Sequence, residues 1–395
     1  MDGKAQILQQ PLIKIPPTFF NLYFIFVSLP KKNHTHHPLL QEKRFALSLI
    51  DWYQQGHRAL PWRATHDPYK IWLAEIILQQ TRVVQGMPYY NAFITQYPTL
   101  HDLAAASETE VLRTWQGLGY YSRARNLHTC ARLIVDKQEG VFPNDYKGLL
   151  QLPGIGPYTA AAIASIAFRE AVPVVDGNVL RVLARIFGIT SPINSSQGKA
   201  VIQEIAQQLI SIPTPDVYNQ AIMEFGAVQC TPQKPACDTC IFHADCIAYQ
   251  TQQVEILPKK DAKVKIKKRY FHYLVLQLGD KLLMKKRPKG DIWQGLYDFY
   301  LVEADKPYAA KQLSDELLTL VHQHQLEIVK YPWEAKHILT HRVIYASFFH
   351  ISLPTTFMEV VAPLLQQYAM EAVTMEAIQS LPKSVLICKF LNAHM

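Results

Sequence analysis

Leu152-Pro153-Gly154-Ile155-Gly156-Pro157-Tyr158-Thr159-Ala160 is the stretch on which the reading of this 395-residue chain turns. It is a glycine turn between two helical stretches, with Pro157 where a helix can begin. Such a turn leaves consecutive backbone N–H groups open at a helix N-terminus, where they can hold a phosphate without competing side chains. Glycine also serves ordinary helix connections, so the rest of the chain has to decide. Forty Lys and Arg against 32 Asp and Glu, with a pI of about 9.0, favour an anionic partner, nucleic acid first. That balance turns Gly154 and Gly156 toward contact with DNA phosphates.

Outward from this turn, residues 41–229 keep apolar residues three and four apart in segments of helix length, Phe45, Leu49, Trp52 and Tyr53 forming one stripe. The interruptions are short Pro and Gly turns, and this part is expected to be all-α. The length suggests two or three domains. Residues 251–269 form a basic, lysine-rich linker. Beyond it, 270–278 and 281–286 read as strands joined by a Gly279-Asp280 hairpin turn. Further strands are expected at 293–302 and 343–353 and helices at 309–323 and 383–392, so residues 270–395 read as α+β without repeats. Residues 1–40 contain an apolar run from Phe19 to Val27 that is short for a membrane span and is followed by no small-residue cleavage site. They read as an N-terminal extension outside the fold, without order of its own.

Four of the six cysteines, Cys230, Cys237, Cys240 and Cys246, fall in one loop at 230–250, separated by six, two and five residues. That grouping belongs to a metal site rather than to a disulfide framework and implies a reducing, cytoplasmic compartment. Four thiolates suit either zinc or a 4Fe-4S cluster. Cys130 and Cys388 stand alone and read as small buried residues. In Val174-Val175-Asp176-Gly177-Asn178, Asp176 or Asn178 is placed to cap a helix. Glu75 sits amid apolar residues on a predicted helix and shares a face with Gln79. A carboxyl in such surroundings keeps its proton to higher pH, as a general acid requires.

With these pieces in order, the chain resembles the helix-hairpin-helix DNA glycosylase superfamily, and within it the MutY-type adenine DNA glycosylases. The resemblance runs from about residue 46 to 247, through Leu60-Pro61-Trp62-Arg63, Glu75 to Thr81, Gly117 to Asn126, Leu152 to Thr159, Asp176 to Val179 and the cysteine loop, then more loosely to about 391. It implies a multidomain protein: an all-α helix-hairpin-helix glycosylase domain with an iron-sulfur cluster loop, then an α+β Nudix-like (MutT-like) domain. The expected activity is base-excision hydrolysis of adenine opposite 8-oxoguanine or guanine in double-stranded DNA, by a monomer that needs no membrane. By the same resemblance Glu75 protonates adenine and Asp176 stabilises the sugar cation or a covalent intermediate, a division of labour like that in glycoside hydrolysis. Tyr158 and Asn178 support that site, Gln80 and Tyr120 wedge into the duplex, and Arg63, Gly154 and Gly156 contact DNA. The four cysteines hold one 4Fe-4S cluster.

Thr340 and His341 correspond to a lesion-recognition element, with Leu339 where that element has an aromatic residue. The glutamate-bearing metal helix of Nudix hydrolases is missing from the sequence after Gly295, so pyrophosphatase activity is not expected. An endonuclease III-type glycosylase/lyase would carry a lysine where this chain has Tyr158. A DNA-binding protein without catalysis would be suggested by loss of Glu75 or Asp176, and both are present.

Overall fold

Helix Pro68–Leu78 is apolar on every side, with Tyr69, Ile71, Trp72, Leu73, Ile76 and Ile77 all buried. A helix with no polar stripe has to be wrapped by others, and this one forms the centre of the helical part. Asp67 starts it by accepting the Tyr69 N–H at 2.9 Å, and Pro68 occupies a first-turn position where no N–H is needed. Against it packs helix Pro157–Phe168, whose Ala160, Ala161, Ala162 and Ala164 are buried. These small side chains let the two backbones approach, while Trp72, Trp115 and Phe93 fill the space around them.

The computed structural model describes residues 44–261, 266–304 and 323–395. From Arg44–Gln55 to Ile247–Gln250 the described residues are helices and turns, as expected, and they surround two cores. The second core stacks Phe45 on Phe242 at 4.6 Å and includes Cys246, so the cysteine loop is anchored to it. The expected extension at 1–40, residues 262–265 of the linker and residues 309–322 of the helix expected at 309–323 lie outside the described residues.

Among the described residues the C-terminal part holds a seven-stranded sheet: β1 Lys267–Leu278, β2 Lys281–Lys286, β3 Tyr297–Asp298, β4 Tyr300–Ala304, β5 Ile328–Ile338, β6 Arg342–Leu353 and β7 Met370–Thr374. β1 is central, parallel to β6 over twelve residue pairs and antiparallel to β2 and β4. Apolar clusters cover both faces. The two-residue hairpin at Gly279-Asp280 forms as expected, with Leu278 opposite Lys281. The single strand expected at 293–302 does not form. Trp293 and Gly295 take φ of 61° and 80°, outside the strand region, so pairing starts only at Tyr297 and is broken again after Asp298. β5 was not anticipated because Pro332 interrupts its pattern, and its pairing with β6 shifts register there. The last helix begins at Val385 rather than 383, where Ser384 caps it.

The two parts touch. Leu296, from the turn before β3, is fully buried in the core built around Trp72 and Trp115. Arg125 Nη1 donates to the Gln294 carbonyl at 2.8 Å, and the Lys383 N–H donates to Gln116 Oε1 at 2.8 Å.

The glycine turn explains its own composition. Gly154 has φ of +78°, and a Cβ placed on it would stand 2.6 Å from the Asn126 Cβ. Gly154→Ala is therefore expected to cost about 1–3 kcal/mol, from backbone strain and overpacking together. Thermal unfolding would show it as a lowered Tm; an unchanged Tm would contradict the steric account.

Candidate active site

Because the Pro68–Leu78 helix has no solvent face, its single acid cannot escape burial, and Glu75 is 6% exposed. It opens into a cavity of about 560 Å³ whose walls include Tyr158, Asp176, Asn178, Arg63 and Met223. That volume suits a nucleobase and part of its sugar. The Tyr158 hydroxyl donates to the Glu75 carboxylate. Burial raises the Glu75 pKa to about 7, with Asp176 adding to the rise and Tyr158 and Arg63 opposing it. Burial also pushes the Tyr158 hydroxyl well above its ordinary range, so it remains a donor.

Asp176 is the N-cap of helix Gly177–Ile186. One carboxyl oxygen accepts the N–H groups of Asn178 and Val179 at 2.8 and 2.7 Å, and the other accepts the Asn178 amide at 2.8 Å. Burial raises its pKa against these bonds. The Asn178 side chain is in turn oriented by Arg181, which donates to its Oδ1 at 2.9 Å and to the Gly226 and Cys230 carbonyls at 2.6 and 2.8 Å. A Cβ at Gly226 would stand 2.7 Å from the Asn178 Cβ, so helix Pro215–Val228 approaches this closely only with glycine there.

Glu224 was not singled out in the sequence, although it too is an acid flanked by apolar residues in a helix. Arg58 grips it with Nε at 2.8 Å and Nη2 at 2.5 Å, and Arg63 Nη2 donates to it at 2.7 Å. Burial alone would raise its pKa, but the hydrogen bonds from Arg58 and Arg63 prevail and hold it at about 2. Arg63, expected as a DNA contact, is thereby fixed in the cavity wall with 11% of its side chain exposed.

The other expected residues lie outside the lining of the cavity. Gln80, just past the end of the Glu75 helix, and Tyr120 are exposed, with φ of 55° and 50°. Gly154 and Gly156 are exposed, and Gly156 is the N-cap of the Tyr158 helix, with no side chain covering that end. Thr340 and His341 lie exposed at the β5–β6 turn, and the Thr340 hydroxyl bonds that of Tyr120. Leu339 packs instead against the core of the sheet.

Cys230, Cys237, Cys240 and Cys246 line one small cavity of about 20 Å³. Arg185 Nη1 lies 3.4 Å from the Cys230 sulfur, and the Phe242 N–H lies 3.4 Å from that of Cys240. Burial raises the Cys240 thiol to about 12. Among the described residues no three Cys, His, Asp or Glu side chains close around a single ion. Four cysteines lining one space, with the Arg185 cation beside the Cys230 sulfur and a backbone N–H beside that of Cys240, supply the donor set of a four-thiolate centre.

Removing the charge of Glu224 leaves Arg63, and the buried end of Arg58, without an anion. Glu224→Gln is expected to destabilise the protein by about 3 kcal/mol, read as a lower midpoint in urea. A midpoint within experimental scatter of the parent would contradict this.

Residues 73–210 match the HhH-GPD superfamily of base excision DNA repair proteins, and residues 272–393 match the NUDIX domain. The adenine DNA glycosylase of Buchnera aphidicola subsp. Baizongia pistaciae (strain Bp) is 33% identical over 305 residues, 76% of this chain and 84% of that protein. The adenine DNA glycosylase of Homo sapiens is 43% identical over 233 residues, 57% of this chain and 43% of that protein. Among solved structures, a thermostable thymine-DNA glycosylase is 30% identical with a TM-score of 0.50, covering 54% of this chain and 99% of that one. On this evidence the chain belongs to the MutY-type adenine DNA glycosylase family, base-excision repair enzymes with a helix-hairpin-helix catalytic part and a C-terminal Nudix-like domain.

Proposed function

We propose that the substrate of this adenine glycosylase is adenine opposite 8-oxoguanine or guanine in duplex DNA. The observation that carries this reading is the bond between Thr340, on the sheet domain, and Tyr120, on the rim of the catalytic part. It brings the expected lesion-recognition element beside the expected wedge. In this account adenine leaves the stack and enters the cavity while Gln80 and Tyr120 fill the gap in the duplex.

The chemistry follows from the two buried acids. Protonated Glu75 donates its proton to adenine, at N7, so the electron pair of the breaking C1′–N9 bond is accepted by a neutral leaving base. Asp176, ordered by two backbone N–H groups and by Asn178, presents its carboxylate to the cation developing on the sugar, stabilising it directly or through a bond to C1′. Water then supplies the hydroxyl at C1′ and gives its proton to a carboxylate. Tyr158 holds Glu75 in place by its hydrogen bond, and both Tyr158 and Arg63 oppose the effect of burial on it.

The proposed cofactor is one 4Fe-4S cluster on Cys230, Cys237, Cys240 and Cys246, supported by the cavity these four share. When bound, it would supply a structural cross-link rather than redox chemistry. Arg181 then joins the Cys230 carbonyl to Asn178, so the loop and the active site share a brace.

Single-turnover release of adenine from an A:8-oxoguanine duplex tests the substrate, with a thymine-glycol duplex as control; cleavage of the control alone would overturn it. Glu75→Gln and Asp176→Asn are each expected to slow release by ~100-fold or more while leaving duplex affinity nearly intact. The purified protein should be brown and contain about four iron atoms per chain. A colourless protein with one zinc would refute the cluster.

A further inference from the structure

Arg123 is buried against the end of the helix that carries Glu75, on helix Ser122–Gln138. Its Nη1 donates to the carbonyls of Ile76 and Ile77 at 2.8 Å and of Gln79 at 2.7 Å. Its Nη2 reaches the Gly119 carbonyl at 3.2 Å and the Thr81 hydroxyl at 3.4 Å. The guanidinium carbon lies 5.0 Å from the Trp115 ring centre and 5.6 Å from that of Tyr120. The last carbonyls of a helix have no partner within it, and a cation is favoured there. Here one planar cation closes the end of the acid's helix and the turn before Tyr120 together.

The two residues flanking this knot, Gln80 and Tyr120, both hold left-handed backbone conformations without being glycine. Such conformations persist only where the surroundings over-determine them. Arg123 supplies that constraint from between them, through the Gln79 carbonyl on one side and the Gly119 carbonyl on the other. Leu78 and Thr81, on the same segment as Gln80, line the active-site cavity.

We propose that Arg123 is a positioning residue that makes the entry of Gln80 and Tyr120 into the duplex and the placement of Glu75 against adenine a single event. The proposal rests on the reading that Gln80 and Tyr120 enter the duplex. It requires the guanidinium fork, because four carbonyls in two segments need several donors in a fixed plane, which an ammonium does not provide. Arg123 lies outside the lining of the active-site cavity and acts through the segments it ties.

The test uses the full-length protein with Arg123→Lys, Tyr120→Ala and the double variant. Single-turnover adenine release gives the rate, and 2-aminopurine at the target position reports unstacking by its rise in fluorescence. Arg123→Lys is expected to lose more than half of the fluorescence rise and to slow release roughly 10- to 100-fold, the effect of a small misplacement. Duplex affinity stays within about threefold, because phosphate contacts set most of it. The double variant is expected to be no more than about threefold slower than the slower single variant, since the two changes break one coupled unit. A purely structural role would lower affinity and rate together and multiply with Tyr120→Ala; that result, or a full fluorescence rise in Arg123→Lys, overturns the proposal. Wild-type behaviour of Tyr120→Ala would instead sink the wedge reading itself and the proposal with it. Should Arg123→Lys fail to fold, Trp115→Phe enters the same cycle, because it removes the 2.9 Å bond from Trp115 Nε1 to the Gly119 carbonyl. Multiplicative losses with Tyr120→Ala would again overturn the proposal.

Discussion

The burial of one carboxyl group in a helix with no polar face is the constraint around which this enzyme is organised. Beyond Lys70 in its first turn, which stays partly exposed, nothing in the Pro68–Leu78 helix except Glu75 resists a dry environment, and its packing leaves Glu75 only the cavity to face. The dry wall raises its pKa toward neutrality, and the groups around it read as controls on that effect. Tyr158 bonds it, Arg63 restrains the shift, and Glu224 fixes Arg63 so that this restraint has a definite position. Asp176 experiences a similar burial but is provided with three donors, which favour the charged form a sugar cation needs. The two acids are separated in role by how many hydrogen bonds each receives.

Much of this was legible in the sequence, because the relevant signals are local. An acid within an apolar helical run, an Asp-Gly-Asn helix start, a glycine turn and a four-cysteine loop each carry their meaning within a few residues. The Arg58–Arg63–Glu224 cluster was hidden because its members are about 160 positions apart and only folding brings them together. Arg63 illustrates the same limit: the resemblance offers it as a DNA contact, while its buried partner Glu224 comes into view only in the folded chain. In the sheet domain, regular strands such as β1 and β2 were readable. β5 was concealed by Pro332, and the stretch before β3 by the left-handed turn at Trp293 and Gly295.

The contact between the two parts gives the architecture its functional sense. Leu296 enters the catalytic core, Gln116 receives the Lys383 N–H, and Thr340 reaches Tyr120, so the Nudix-like domain rests on the surface from which Tyr120 projects. In the proposed function, recognition of the base opposite adenine and removal of adenine would fall to adjacent surfaces, with the Gly119–Arg123 segment between them.

Whether burial keeps Glu75 protonated for catalysis is read from the pH dependence of single-turnover adenine release between about pH 5 and 9. The carboxyl is raised from its ordinary 4.5 to about 7, and the protonated form is the working one. The rate should therefore be highest below neutrality, fall as pH rises through about 7, and lose that limb in Glu75→Gln. A rate that stays flat through pH 7, or a descending limb that survives in Glu75→Gln, would contradict the account.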